Sequence, residues 1–410
     1  MTGNISRLRQ ELDELARISS HTFPAVTRVV FSEEDLRARK WLVEKCEAAG
    51  LTVRFDAVGN LFARAEGTDA SQPALATGSH TDAIPNAGMF DGVVGVLGGL
   101  EAIRMIQESG VRLRHPLELI MFTSEEPTLF GIGCLGSRLM SGSLEPQRAD
   151  SLKDLDGRSL AEWRAGAGYT GDLAGVETPV GTYAAFVELH IEQGPILERE
   201  GFAIGIVEKI AAPAALRIEF TGEGGHAGAV LMPDRHDAVL AAAELALELE
   251  KLVLNSGSPD CVGTTGMVKI HPNAINSIPC RALVEMDIRD TRLASRDAVV
   301  EGVVKSARAV AARRGLELEV DRISVDPPAI CDERLLEILD QSSGELKSRR
   351  LVSRAYHDSL FMSRIVPTAM IFIPCKNGWS HRPDEFSSPE QIARGVEVLA
   401  RALVAADSVF

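Results

Sequence analysis

Five side chains of metal-binding type stand far apart in this 410-residue chain: His80, Asp91, Glu126, His190 and His381, with Glu125 directly beside Glu126. They fall in Gly78-Ser79-His80-Thr81-Asp82, Phe90-Asp91-Gly92, Thr123-Ser124-Glu125-Glu126-Pro127, Leu189-His190-Ile191-Glu192-Gln193-Gly194 and Trp379-Ser380-His381. A two-metal hydrolytic centre needs a bridging carboxylate, a few terminal ligands and a separate carboxylate that moves protons, and this set supplies all three. Asp91, between an aromatic residue and a glycine, is the expected bridge. Glu126 with His381 would complete one ion, and His80 with His190 the other. Glu125 is too near Glu126 in sequence to fill the same coordination sphere, and is the expected general base acting on water. Asp82, two residues after His80, is expected to orient that imidazole through its second nitrogen. Imidazole and carboxylate donors suit Zn²⁺, Mn²⁺ or Co²⁺ alike; the expectation is two divalent ions per subunit, with Mn²⁺ placed first and Zn²⁺ or Co²⁺ as alternatives.

Each residue alone has a plainer explanation. Adjacent glutamates ordinarily mark a solvated surface, and a single histidine is usually structural. Here, however, Glu125-Glu126 follows the largely apolar run Leu117–Thr123, and His80 and His190 also close apolar segments. Charge buried at several strand ends is costly without a partner, and a cation is the economical counter-charge. His21, His115, His236 and His271 lie outside these motifs and carry no assignment.

The elements that must position these residues follow from periodicity. Helical spacing covers 4–18, 33–49 and about 92–109, with Gly50 as a stop. Residues 51–65 read as a strand pair turned at Gly59-Asn60; 75–80 and 117–123 are apolar strands that end at the motifs. Alternating strands and helices imply a mostly parallel sheet, whose ligands bind beyond the carboxyl ends of the strands. From Leu216 to about residue 323 the order becomes strand, helix (233–254), two strands (266–270 and 282–290), helix (294–314), strand, a ferredoxin-like unit. Ala211-Ala212-Pro213-Ala214 and Asp326-Pro327-Pro328 read as the linkers around it. A buried strand at 366–373 and a closing helix at 388–405 return to the first pattern. The expected architecture is therefore an α/β catalytic domain in two parts, 1–211 and 327–410, interrupted by an inserted α+β domain at 212–326.

Composition limits the functional classes. Apolar residues at 45% and charged residues at 25% are those of an ordinary globular protein. A net charge of −15 with no basic tract argues against nucleic acid as a partner. No window approaches the ~18 consecutive apolar residues that suggest a membrane span, and the opening residues lack the apolar core of a signal peptide. Six dispersed cysteines without a Cys-x-x-Cys pair read as free thiols. A cytoplasmic location is the expectation.

At its metal-type motifs the sequence resembles the dinuclear metallopeptidase and amidase superfamily, and more narrowly its hydantoinase/carbamoylase branch. His190 in His-Ile-Glu-Gln-Gly-Pro is the branch marker, since other members use a carboxylate there. The resemblance runs from about residue 5 to 405. It implies that the inserted domain forms a homodimer and lends residues to the neighbouring subunit's active site: His226 in Gly224-Gly225-His226-Ala227-Gly228, Asn276 in Asn273-Ala274-Ile275-Asn276-Ser277-Ile278-Pro279, and Arg289 in Asp287-Ile288-Arg289-Asp290. Those side chains suit such roles. A histidine in a glycine-rich loop can donate to an oxyanion, Arg289 offers a planar fork for a carboxylate, and Asn276 can hold a carbonyl or amide. A plainer reading stays open: His226 as a turn residue and Arg289 as the partner of Asp287 or Asp290. Gln193 is a further candidate for facing substrate.

Three segments, Gly92–Gly98, Gly225–Pro233 and Ser353-Arg354-Ala355-Tyr356-His357-Asp358-Ser359-Leu360-Phe361-Met362, draw the chain toward family members that act on ureidoglycolate. The expected reaction is hydrolysis of a C–N bond in a small carboxylated ureido compound, (S)-ureidoglycolate first, to glyoxylate, ammonia and CO2. N-carbamoyl-L-amino acids and allantoate are the alternatives within the class. An inactive, metal-binding dimeric scaffold is the alternative outside it.

Overall fold

In the computed structural model, which describes residues Gly3–Phe410, the apolar runs of the sequence become the strands of a large mixed sheet. The chain forms two compact units. One comprises the residues up to Lys209, with Ile330–Ser353 and His357–Phe410; the other comprises Ile210–Ala329 and Arg354–Tyr356.

Four parallel strands form the centre of the first unit's sheet, in the order Leu117–Phe122, Ala74–His80, Tyr183–Ile191, Thr368–Ile373. All four are buried along their whole length, which is why they read as apolar runs rather than alternating ones. Antiparallel strands flank them: Leu61–Ala65 and then Thr52–Phe55 on one side, Ile204–Ile210 on the other. The first two are the expected strand pair. Ile204–Ile210 and its neighbour Ser348–Ser353 were not expected.

The helices Ile5–Ala16, Glu33–Ala48, Val93–Glu108 and Pro389–Ala406 agree with their sequence spacing. Ser32 and Ser388 cap the second and the last of these; Gln391 completes a capping box by accepting the Ser388 amide at 2.7 Å. Val93–Glu108 is apolar nearly all round and is buried from Val93 to Ile106, as a helix packed within the fold must be.

The second unit is a four-stranded antiparallel sheet in the order Val262–His271, Arg281–Asp290, Ala212–Thr221, Glu317–Val325, with the helices Ala238–Leu254 and Leu293–Arg314. This is the ferredoxin-like order. Ala282, Val284, Met286 and Ile288 alternate inward along one central strand, and Leu216, Ile218 and Phe220 along the other.

Two expectations need correction. Ala212-Pro213-Ala214 is not a linker but the first part of a central strand, with Ala212 paired to Asp290 and Pro213 to Arg289. Small residues carry no β-branched signal, and burial with pairing against Arg281–Asp290 supplies what propensity lacks. The helix expected from 233 begins at Ala238, because the Asp237 carboxylate accepts the Val239 amide and caps it there; Met232–Asp234 forms a separate 3₁₀ turn. No helix among the described residues is long and apolar enough to cross a membrane. All six cysteines are free thiols.

Candidate metal centre

His80 ends its strand and pairs there with Phe122, while His190 lies one residue before the end of its own. Glu125 and Glu126 stand just past Phe122, after a left-handed turn at Ser124 (φ 57°). His381 follows the Thr368–Ile373 strand in a loop and is itself left-handed, φ 58°. Neighbouring parallel strands therefore bring together side chains separated by 300 residues of chain. Strained backbone gathers at the same place, since Cys134 (φ 56°) and Gln193 (φ 53°) are also left-handed.

Asp91 is the centre of the arrangement. Its Oδ1 lies 3.2 Å from His190 Nε2 and 3.8 Å from His80 Nε2. Its Oδ2 lies 3.4 Å from His381 Nε2, which is 3.2 Å from Glu126 Oε1. One carboxylate thus presents one oxygen to each of two donor groups, His80–Asp91–His190 and Asp91–Glu126–His381. Gly92 makes this possible: it turns the chain at φ 66°, and a Cβ there would fall 2.3 Å from His80 Nε2.

The rings are aimed by their other nitrogens. His80 Nδ1 donates to the main-chain oxygen of Asp82 at 3.0 Å, and His190 Nδ1 to that of Ile191 at 2.9 Å. Each Nε2 is left to face Asp91, and that of His190 also lies 3.1 Å from the Gly92 amide nitrogen. Asp82 therefore holds His80 through its backbone. Its carboxylate, 3.7 Å from the ring, instead accepts the amides of Glu125 and Glu126 at 3.3 and 3.1 Å.

Charge is concentrated here. Burial raises the Asp91 carboxyl, but the His190 hydrogen bond and the charges of His190, His80 and His381 outweigh it and hold the group far below the usual carboxylate range. Burial lowers His190, yet its bond to Asp91 carries it up to about 9; His381 reaches about 9 chiefly through Glu126. Burial lowers His80. Burial, followed by the charges of Glu126, Asp358, Asp91 and Asp82, pushes Glu125 well above the ordinary range. Glu125 Oε2 is 3.7 Å from His80 Nε2, and its Oε1 accepts the buried Cys134 thiol at 3.6 Å. Imidazole and carboxylate donors, with Asp91 shared, fit two divalent cations, which supply the positive charge that several buried carboxylates require.

Gln193, expected to face substrate, donates from Nε2 to Asp91 Oδ2 at 2.7 Å, while its Oε1 is buried without a hydrogen-bond partner. In the second unit, His226 lies on a two-residue strand opposite Ser277, and the Ala227 amide donates to Asn276 O at 2.9 Å. His226 Nδ1 accepts the Gly228 amide at 3.1 Å. Arg289 makes a two-pronged pair with Asp287, both bonds 2.8 Å, and its guanidinium stands 5.1 Å from the Tyr356 ring centre.

Sequence reasoning overlooked several participants. Glu188, two residues before His190 and so on the same strand face, accepts Ser79 Oγ at 2.7 Å and Ser359 Oγ at 2.6 Å. A carboxylate at that period in an apolar strand was a legible signal. The His357 ring packs edge-on against His190 at 4.5 Å, and the buried Asp358 accepts Ser137 Oγ at 2.5 Å. Glu385 accepts the amides of Phe90 and Asp91.

The model of the peptidase family M20/M25/M40 matches residues 76–405. The chain belongs to the M20/M25/M40 family. Members of this family are metal-dependent hydrolases, as the donor groups of the first unit require. A ureidoglycolate hydrolase of Oryza sativa subsp. japonica is 53% identical over 405 residues, covering 97% of this chain and 83% of the relative. The crystal structure of AtUAH in complex with (S)-hydroxyglycine is 48% identical and superposes with a TM-score of 0.95, covering 100% of this chain and 99% of that one. An amidase of the hydantoinase/carbamoylase family from Burkholderia vietnamiensis is 34% identical with a TM-score of 0.93, covering 99% and 98%. Within M20/M25/M40, the chain is of the hydantoinase/carbamoylase type.

Proposed function

We propose that this chain hydrolyses the ureido group of a small carboxylated ureido compound, with (S)-ureidoglycolate as the favoured substrate. The observation that carries the reading is its full-length likeness to AtUAH, which was crystallised with (S)-hydroxyglycine. That compound is what remains of ureidoglycolate when water attacks the ureido carbonyl and ammonia and CO2 leave. Its collapse then gives glyoxylate and a second ammonia.

His80, Asp91 and His190 would hold one divalent ion, and Asp91, Glu126 and His381 the other; Mn²⁺ is our first choice, ahead of Zn²⁺ and Co²⁺. Bound there, the ions supply Lewis-acid polarisation and a nucleophile at neutral pH. Glu125 takes the proton of the attacking water and returns it to the departing nitrogen. Its burial among other carboxylates raises its proton affinity, which suits it to carry that proton. Asp82 keeps Glu125 and Glu126 in register through their amides.

For the substrate, Gln193 Oε1 offers an unused acceptor to a ureido N–H. His226, whose Nδ1 already accepts, carries its proton on Nε2 and donates to the tetrahedral oxyanion. Arg289 receives the carboxylate on its planar guanidinium, and Asn276 binds the ureido amide. His226, Asn276 and Arg289 act on the neighbouring subunit of a homodimer. In support of association, Val262–His271 is an edge strand whose Val268 is 45% exposed, and Leu247 and Leu254 of the adjacent helix are 68% and 79% exposed. Six unpaired thiols accord with a reducing, cytoplasmic setting.

Ammonia release by chelated and then Mn²⁺-reconstituted protein tests the proposal. Metal-dependent turnover should be fastest on (S)-ureidoglycolate, ahead of N-carbamoyl-L-amino acids and allantoate. Faster turnover of another ureido acid would replace the substrate, and two bound ions with no turnover would favour a silent scaffold. Light scattering should give the mass of a dimer.

A further inference from the structure

Glu385 lies four residues beyond His381 in a segment, Arg382-Pro383-Asp384-Glu385, that reads as a solvated charge run, yet it is only 4% exposed. Its Oε1 accepts the Phe90 amide at 2.8 Å and the Asp91 amide at 3.1 Å. Its Oε2 accepts the Ser380 hydroxyl at 3.0 Å, and Ser380 Oγ in turn touches Asp91 Oδ2. One carboxylate thus ties the main chain under Asp91 to the loop that carries His381, across 294 residues of sequence. The fold leaves a socket for it: a Cβ on Gly88 would fall 2.4 Å from Glu385 Cβ.

The two donor groups depend on this tie unequally. His80 and His190 are 2% and 1% exposed, sit on sheet strands, and are aimed by main-chain carbonyls. The His381 side chain is 48% exposed and stands on a left-handed loop residue. Only the Asp91–Glu126–His381 group needs a loop held against the Asp91 turn.

We propose that Glu385 is a positioning residue for the metal ion held by Asp91, Glu126 and His381, fixing the Asp91 main chain and the Ser380–His381 loop relative to each other. The inference rests on the ligand assignment made above. Loss of the tie weakens that ion and spares the one held by His80, Asp91 and His190.

The test is calorimetric titration of chelated protein with Mn²⁺, together with metal content and the melting temperature of the metal-free form. Wild type should bind two ions. Glu385→Ala should bind one ion within about threefold of wild type and the other roughly 10–100-fold more weakly, the range seen when a residue supporting a ligand is removed. Glu385→Gln, which keeps an acceptor for the two amides, should restore part of the loss. Ser380→Ala, which removes a single bond, should weaken the same ion to a smaller degree and decides the matter if Glu385→Ala does not fold. Unchanged affinities in these variants, or equal weakening of both ions, would overturn the proposal. Failure of wild type to bind two ions would overturn the ligand assignment instead.

Discussion

His190 and His226 are the same side chain in opposite hydrogen-bonding settings. His190 is buried on a strand, and its Nδ1 donates to the Ile191 carbonyl at 2.9 Å, leaving Nε2 to face Asp91 at 3.2 Å. His226 is exposed on a glycine-flanked two-residue strand, and its Nδ1 accepts the Gly228 amide at 3.1 Å, leaving the proton on Nε2. The first ring is aimed at a carboxylate with which, as proposed, it would share a cation; the second keeps a donor, which suits its proposed contact with an anion. The surroundings follow the same division. Around His190 the carboxylates are buried and locked in shared hydrogen bonds, whereas His226, Asn276 and Arg289 lie on or near the surface of the inserted unit. Metal-centred chemistry gains from rigidity. Recognition of a small polar substrate needs groups that can still reach it.

That contrast can be broken by substitution, and the largest effect is expected at the rigid pole. Glu125→Gln should lower kcat by about 10²–10⁴-fold, the usual worth of a general acid–base group, with metal content and melting temperature kept; near-normal turnover would remove Glu125 from the reaction. His190→Ala should lose an ion, whereas His226→Ala should keep both and lower kcat by about 10²–10³-fold, as removal of an oxyanion donor does. Loss of metal from the His226 variant would erase the distinction between the two rings. Arg289→Ala should raise KM for carboxylated substrates by roughly tenfold to a hundredfold, matching about 1.5–3 kcal/mol for a hydrogen bond to a charged group. An unchanged KM would leave Arg289 as a partner of Asp287 alone. Cys134→Ala, which removes a thiol bond to Glu125, should lower kcat by roughly two- to tenfold, equivalent to about 0.5–1.5 kcal/mol, and Cys134→Ser should recover part of it. A raised KM in place of a lowered kcat would make Cys134 a wall of the site and not a support for Glu125.

The rigid pole was the more legible in sequence. An apolar run that stops at a histidine or at paired glutamates states both a strand and a reason to bury charge, so His80, Glu125, Glu126 and His190 could be read without coordinates. His226 and Arg289 could not be separated from a turn residue and a surface ion pair without the family resemblance. Glu385 escaped altogether, because Pro383-Asp384-Glu385 looks solvated locally and its burial comes from amides some 294 residues away. The strand beginning at Ala212 was missed for a related reason: alanine and proline announce no period, and pairing with the distant Arg281–Asp290 strand decides the matter.

The order of the central strands also sets a timetable for biosynthesis. His80, Asp91, Glu126 and His190 have all been made by residue 190, but the strand Thr368–Ile373 and His381 emerge only after the whole inserted unit. On the proposed ligand assignment, a chain cut short before residue 381 would gather at most one ion. Full metal loading would then report that translation has passed that point, and truncated products would be told from finished ones by the metal they retain.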